Sequence, residues 1–173
     1  MVSFRLLVFM DGAMPGISTP DLCDQYGDAI QVLEPRLRHF GAVQNFGGEV
    51  ATVKCFEDNS LVAETVATPG SGRVLVVDGG GSPHRSLLGD NLARIASDNG
   101  WVGIIIDGAI RDVEEIATME LGVMAIASFP RKTVKRGKGQ TQVTLNFASV
   151  TVKPGDYIYA DLSGVIVSDR KLG

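Results

Sequence analysis

Residues 72–112, GRVLVVDGGGSPHRSLLGDNLARIASDNGWVGIIIDGAIRD, decide how this chain folds. Val74–Val77 is a short, continuous, β-branched run stopped by Asp78-Gly79-Gly80-Gly81, the pattern of a strand buried on both faces and ended by a turn. A helix follows in which Leu88, Leu92, Ile95 and Ala96 share one face, with Asn99-Gly100 as a left-handed stop. Trp101–Ile106 predicts a second buried strand. Because a helix connects the two strands, they can lie parallel with both polar turns at one carboxyl edge. That topology brings Asp90 towards Arg111-Asp112 across twenty intervening residues.

The rest of the chain is read outward from this unit. With 173 residues and 45% hydrophobic content it can bury one substantial core, which predicts a single domain over residues 19–173 behind an extension at 1–18. The opening MVSFRLLVFMDGAMPG has an apolar stretch, Leu6–Met10, too short for a secretory core and cut by Asp11, so it reads as filler or an organelle-type leader. A net charge of −4 argues against a global affinity for nucleic acid. No run approaches the roughly 18 apolar residues that cross a bilayer. Cys23 and Cys55 have neither zinc nor disulfide spacing, which suits a reduced, cytoplasmic setting.

Before the central unit, Ser18-Thr19-Pro20-Asp21 starts a helix, Val32–Phe46 is a loop with short structure, Glu49–Phe56 is a strand and Leu61–Ala67 a helix. After it, Val113–Leu121 begins as an acidic-led helix and Val123–Ser128 is a third parallel strand candidate. A basic loop, 131–138, precedes a strand pair, Val143–Phe147 and Val150–Val152, and two last strands over Tyr157–Ala160 and Gly164–Ser168. The order is mixed α/β, with a mostly parallel core sheet and antiparallel additions.

Three groups of residues invite chemistry. The run Asp78-Gly79-Gly80-Gly81-Ser82 lets backbone amides approach an anion, but it is neither a dinucleotide fingerprint nor a P-loop, and a plain turn, or an anion pocket for a small carboxylate, explains it better than a nucleotide cradle. Asp90, Arg111 and Asp112 combine hard oxygen ligands for Mg²⁺ or Mn²⁺ with a guanidinium that can grip a carboxylate or a developing enolate. The competing reading is that both aspartates cap helices and Arg111 pairs with one of them. Asp107 is either a supporting group at the strand end or a turn former. His39 and His84 have no partner at metal or triad spacing. The basic loop is a solvated segment or a subunit contact before it is a phosphate contact.

Several pieces, TPDLCDQY, VLEP, FGGEVATVKCFEDNSLV, GRVLVVDGGGS, NGWVGIIIDGAIRD and PGDYIYADLSGVIVS, together resemble the regulator of ribonuclease E activity A family from about Thr19 to Ser168. The resemblance implies a swivelling β/β/α fold, assembled as a homotrimer or a hexamer made of two trimers. Older methyltransferase labels in that family rest on no methyl-donor motif visible here. Some members resemble inhibitors that bind ribonuclease E and RNA helicases; others are similar to class II 4-hydroxy-4-methyl-2-oxoglutarate aldolases that also decarboxylate oxaloacetate. The aldolase signature is an aspartate, twenty residues and Arg-Asp, which Asp90 and Arg111-Asp112 reproduce. By this resemblance Asp112 is the metal ligand, Asp90 holds a metal-associated water, and Arg111 orients the 2-oxo acid and steadies the pyruvate enolate. Backbone amides around Leu88, Gly89, Asp90, Asn91 and Leu92 receive the substrate carboxylate. The implied function is a metal-dependent lyase on 2-oxo acids that releases pyruvate; the alternative is a non-catalytic regulator of RNA degradation.

Overall fold

The computed structural model describes residues 16–173. The extension expected over residues 1–18 falls on residues 1–15, which lie outside the described residues, and on 16–18, where Ser18 caps the first helix. Helix α1 (Thr19–Tyr26) starts as its sequence requires, with Pro20 in the first turn and the Ser18 hydroxyl accepting the Asp21 N–H at 3.2 Å. After a 3-10 turn come the short strands β1 (Gln31–Val32) and β2 (Arg38–His39), then β3 (Phe46–Lys54) and α2 (Ser60–Val66). The central unit supplies β4 (Val74–Asp78), β5 (Ser86–Leu88), α3 (Asp90–Asp98), β6 (Gly103–Ile110), α4 (Val113–Ile116) and β7 (Gly122–Ser128). The remainder is β8 (Gln140–Thr141), β9 (Leu145–Phe147), β10 (Val150–Val152), β11 (Tyr157–Ala160) and β12 (Val165–Ser168).

One mixed sheet runs in the order β1-β12-β11-β3-β4-β6-β7-β2. Its centre, β3-β4-β6-β7, is parallel, with β5 added parallel beside β6, while β1, β12, β11, β2 and β8 pair antiparallel. Parallel strands need cover on both faces, and alternate residues provide it. Leu75, Val77, Ile104 and Ile106 face α2, α3 and α4 through Val62, Val66, Ala93, Ala96 and Ile116. Val74, Val76 and Ile105 face the opposite way, onto the β9–β10 hairpin and the antiparallel strands through Leu145, Val152, Ile158 and Val167. The result is a helix layer, a sheet and a second β layer, the expected β/β/α arrangement.

The structure corrects the central stretch in three places. Leu88 belongs to β5 rather than to the helix, which begins at Asp90 behind Gly89. Of the expected helical face, Ala96 is buried with Ala93, and Leu92 packs at its margin, but Ile95 is 39% exposed. Small alanines let the helix axis approach the sheet closely, so the larger Ile95 is left at the rim. The second strand starts at Gly103, not at Trp101, and continues to Ile110, past Asp107. Asp107 is therefore an interior strand residue beside Asp78, its register partner on β4. No described helix is long and apolar enough to cross a membrane.

Candidate active site

The carboxyl ends of β4 and β6 carry polar residues on both faces of the sheet, and the two faces differ in kind. On the side opposite the helices, Asp107 is 2% exposed and Arg36 Nη2 lies 3.0 Å from both of its oxygens. Only Oδ2 is hydrogen-bonded by that guanidinium; Oδ1 has the ion pair alone. Burial pushes the Asp107 carboxyl up, Arg36 opposes the shift and the neighbouring Asp78 reinforces it. This closed pair ties the loop before β2 to the sheet.

The glycine run settles as a turn. Gly80 N–H donates to Asp78 Oδ1 at 2.9 Å and Gly81 N–H to the Asp107 carbonyl at 3.0 Å. Gly80 and Gly81 both take positive φ, at 66° and 70°, and a Cβ on Gly80 would stand 2.8 Å from the Phe56 ring. Two of the amides that an anion would need are therefore engaged locally. His39 bonds the Asp161 carbonyl through Nε2 at 2.7 Å, and exposed His84 sets its ring against Phe129; neither approaches the aspartates' cleft. Cys55 is buried, and burial, with Asp58 and Asp78 nearby, pushes its thiol up to about 12, so it is no nucleophile.

On the helix side the three expected residues meet. Past Ile110 the chain makes one left-handed residue, Asp112 (φ 55°, ψ 42°), a conformation that aspartate tolerates better than most side chains. Asp112 occupies the N-cap position of α4, yet its side chain makes no capping bond there. Instead Oδ2 accepts the Asp90 backbone N–H at 3.1 Å, at the first residue of α3. Arg111 Nε stands 3.9 Å from the same oxygen, and Nη1 reaches the Pro130 carbonyl at 3.5 Å. Asp112 Oδ1 has no hydrogen bond or ion pair among the described residues. Gly89 makes this approach possible, since a Cβ there would lie 2.8 Å from Asp112 Oδ2.

Part of the capping interpretation is thus correct and part is not: Asp112 caps α3, across the site, rather than its own helix. Asp90 turns its Oδ1 to the adjacent Asn91 N–H at 2.9 Å. Of the first-turn amides of α3, those of Asp90 and Asn91 are engaged, and that of Leu92 has no protein acceptor among the described residues.

These residues line a cleft of about 230 Å³ with Asn59, Lys132, Thr133 and Lys135. Arg111 and Asp112 also border a second cavity of about 380 Å³ on their other side, with Glu114, Glu115, Phe129 and Pro130; the cleft at α3 by itself has room for a small acid. The wall opposite α3 is the basic loop 131–138, read from the sequence as a solvated segment or a subunit contact; it is exposed everywhere but at Thr133, and its backbone is tied down as a strap beside the site. Thr133, 5% exposed, donates to Asn59 Oδ1 at 2.7 Å and accepts the Asn59 N–H at 3.3 Å. Arg136 and Lys138 N–H groups converge on Asp58 Oδ2 at 2.8 and 3.1 Å, and Ser86 N–H bonds the Arg131 carbonyl at 2.8 Å. Asn59, Ser86, Thr133, Lys132 and Lys135 are the lining residues that sequence reasoning missed. The cluster of charges was visible in the loop; the buried aspartate that anchors it was not.

The donor set fits a hard divalent cation. Asp112 offers an oxygen free of protein partners among the described residues, and Asp90, whose own N–H it caps, carries a second carboxylate. Among the described residues no group of three His, Cys, Asp or Glu side chains converges on one point. A cation here would complete its shell with water or substrate oxygen, as Mg²⁺ does, and not in a closed zinc-type cage.

The model of the RraA-like family, described as Aldolase/RraA, matches residues 19–167. A relative in Pseudomonas fluorescens (strain SBW25) with the provisional name 4-hydroxy-4-methyl-2-oxoglutarate aldolase is 60% identical over 154 residues, covering 89% of this chain and 94% of its own. Two solved structures are similar. One, titled an S-adenosylmethionine: 2-dimethylmenaquinone methyltransferase from Geobacillus kaustophilus HTA426, is 49% identical with a TM-score of 0.87 and covers 90% of this chain and 97% of its own. The other, the RNA-processing inhibitor RraA from Thermus thermophilis, is 40% identical with a TM-score of 0.88, covering 91% and 96%.

Proposed function

The chain belongs to the RraA-like family, Aldolase/RraA, and from that premise we propose that it is a carbon–carbon lyase, a 4-hydroxy-4-methyl-2-oxoglutarate aldolase that also decarboxylates oxaloacetate. The observation that carries the reading is the meeting of Arg111 and Asp112, at the end of β6, with the N-terminus of α3. Relatives about 60% identical bear the aldolase name.

In the cleavage, the C4 hydroxyl gives its proton to water, the bond between C3 and C4 breaks as C4 becomes the carbonyl of one pyruvate, its electron pair passes into the 2-oxo group as the enolate of a second, and a proton from water at C3 completes that pyruvate. With oxaloacetate the leaving group is carbon dioxide and the enolate is the same. Charge therefore develops on the 2-oxo oxygen, and the Arg111 fork has donors left to meet it once Nε faces Asp112 and Nη1 faces Pro130. The open Leu92 N–H at the positive end of α3 suits the substrate's 1-carboxylate. Mg²⁺ or Mn²⁺ would be held by Asp112 directly and by Asp90 through a water, and when bound supplies Lewis-acid polarisation of the 2-oxo oxygen and carboxylate.

Purified protein with Mg²⁺ or Mn²⁺ should release pyruvate from both substrates, and chelation should abolish it. No pyruvate from either substrate with either metal overturns the reading.

A second reading has its own support in the 40% identity to a protein titled an RNA-processing inhibitor. Here the partner is ribonuclease E or an RNA helicase, met by an acidic surface suited to a basic segment. Inhibition of RNA cleavage by added protein, without pyruvate formation, would select it. In either role the assembly is a homotrimer or hexamer, consistent with apolar Phe56 and Leu162 standing 64% and 75% exposed. Light scattering at micromolar protein tests this. The free cysteines Cys23 and Cys55 suit the cytoplasm as location.

A further inference from the structure

The cleft has two electrical ends. Asp90 and Asp112 supply negative charge beside Arg111, while Lys132 and Lys135 stand on the facing strap. Among the described residues neither lysine has a carboxylate within 4 Å, although the chain carries 20 acidic residues against 16 lysines and arginines. Among the described lysines and arginines only Arg36 and Arg111 have one, so what sets Lys132 and Lys135 apart is their place on the wall of the aspartates' cleft. There they place positive charge across from the start of α3 and Arg111, on a wall that no carboxylate of the described residues neutralises.

The strap that carries them is fixed rather than loose. Thr133, between the two lysines, is buried and bonded twice to Asn59. Downstream, two amides are anchored on Asp58 and the Gly137 N–H on the Ser60 hydroxyl at 3.0 Å; upstream, Lys132 bridges Ser86 of β5. The stems of both lysines therefore start from determined positions. Ordering the strap is part of folding and is not charged to ligand binding.

Resting on the aldolase reading of this same cleft, we propose that Lys132 and Lys135 form a cationic wall that takes the second carboxylate of a dicarboxylic 2-oxo acid and so sets the substrate specificity. A 2-oxo acid anchored by its first carboxylate at α3 and by its oxo group at Arg111 extends towards the strap. Besides these lysines, Arg111 is the one cationic side chain on the lining of the cleft, so a second carboxylate has no other positive charge there to meet. With the two lysines, five-carbon dicarboxylates are favoured over monocarboxylic acids of equal length, and a pyruvate product loses the contact and leaves.

The test is calorimetric, on the whole protein with Mg²⁺ present throughout. The two ligands are 2-oxoglutarate, which lacks the C4 hydroxyl that cleavage requires, and 2-oxopentanoate, which replaces the second carboxylate by a methyl group. The parent is expected to bind 2-oxoglutarate at least about tenfold more tightly, as a charge-assisted contact predicts. In the Lys132→Ala/Lys135→Ala double variant that ratio falls to within about threefold of unity, and Lys132→Arg/Lys135→Arg restores most of it. A merely structural role for the strap would move both affinities together and leave the ratio unchanged. An unchanged ratio in the alanine variant, or no preference in the parent, overturns the proposal. Pyruvate release by the parent separates the two ideas: preference without turnover removes the aldolase reading and keeps the wall, and turnover without preference does the reverse.

Discussion

Replacing Asp58 by asparagine should loosen the strap over the cleft and lower stability by up to about 2 kcal/mol. Asp58 is 3% exposed. Its Oδ1 accepts the Ser60 N–H and hydroxyl at 2.9 and 2.6 Å, and its Oδ2 accepts the Arg136 and Lys138 amides. Burial alone would raise its carboxyl, but these four donors outweigh it and bring it down from 3.8 to about 2. At about 1.4 kcal/mol per unit, that preference for the ionised form is worth at most about 2 kcal/mol once solvent screening is allowed for. Asparagine keeps one acceptor oxygen and presents an amide where the second stood, so two strap N–H groups would face a donor.

Urea unfolding followed through Trp101, the single tryptophan and 2% exposed, measures the difference. The sign with pH follows from the direction of the shift. A carboxyl lower in the folded state contributes its full stability above the unfolded value near 4, and that contribution disappears as pH falls towards 2. The parent should therefore lose stability between about pH 4 and pH 2 more steeply than Asp58→Asn. If the two proteins agree within about 0.5 kcal/mol at pH 7, or titrate in parallel through the acid range, Asp58 does not anchor the strap.

Four further outcomes are expected. Asp112→Asn keeps an acceptor for the Asp90 N–H, so stability should change by less than about 1 kcal/mol while turnover falls on the order of 10²–10³ and the Mn²⁺-induced rise in melting temperature disappears. Arg111→Lys should fold normally yet lose on the order of 10² in pyruvate formation, because an ammonium cannot reproduce a planar fork. Gly89→Ala puts a methyl 2.8 Å from Asp112 Oδ2, so it should weaken Mn²⁺ binding in titration calorimetry with little change in the melt. Cys55, buried and with its thiol raised to about 12, should resist a thiol reagent at pH 8 in the native protein and react in urea.

Much of the fold was legible because parallel strands leave a strong trace. Val74–Val77 reads as strand in any register, and Ser18 with Pro20 marks a helix start by local chemistry alone. Strand β5 left no comparable trace. Leu87 and Leu88 run into the helical spacing of Leu92 and Ala96, and the true N-cap, Gly89, has no side chain with which to announce the boundary. Strand β6 appeared to end at Ile106 because Asp107-Gly108 looks like a turn. It continues because Arg36, distant in sequence, neutralises Asp107 and because β5 pairs alongside. The strap was hidden for a related reason: its anchors are backbone amides on Asp58, and backbone donors leave no signature in composition.

The capping and chemical readings of Asp112 looked like alternatives in the sequence, yet the geometry makes one the means of the other. A carboxylate intended for a cation must be aimed, and an exposed aspartate samples several rotamers unless something fixes it. Here the left-handed backbone at Asp112 turns the side chain away from α4, and the Asp90 N–H holds Oδ2 at 3.1 Å against the start of α3. One oxygen is thereby committed to position, and the other is left without a protein partner beside Arg111. The partial positive charge at the start of α3 attracts the carboxylate that caps it and so helps to hold it in place. A cap on its own helix would have turned the same carboxylate towards α4 and left the Asp90 amide open. The crossed cap ties the two ends of the twenty-residue interval together, so the spacing between Asp90 and Arg111-Asp112 is that of one strand-to-strand excursion through α3.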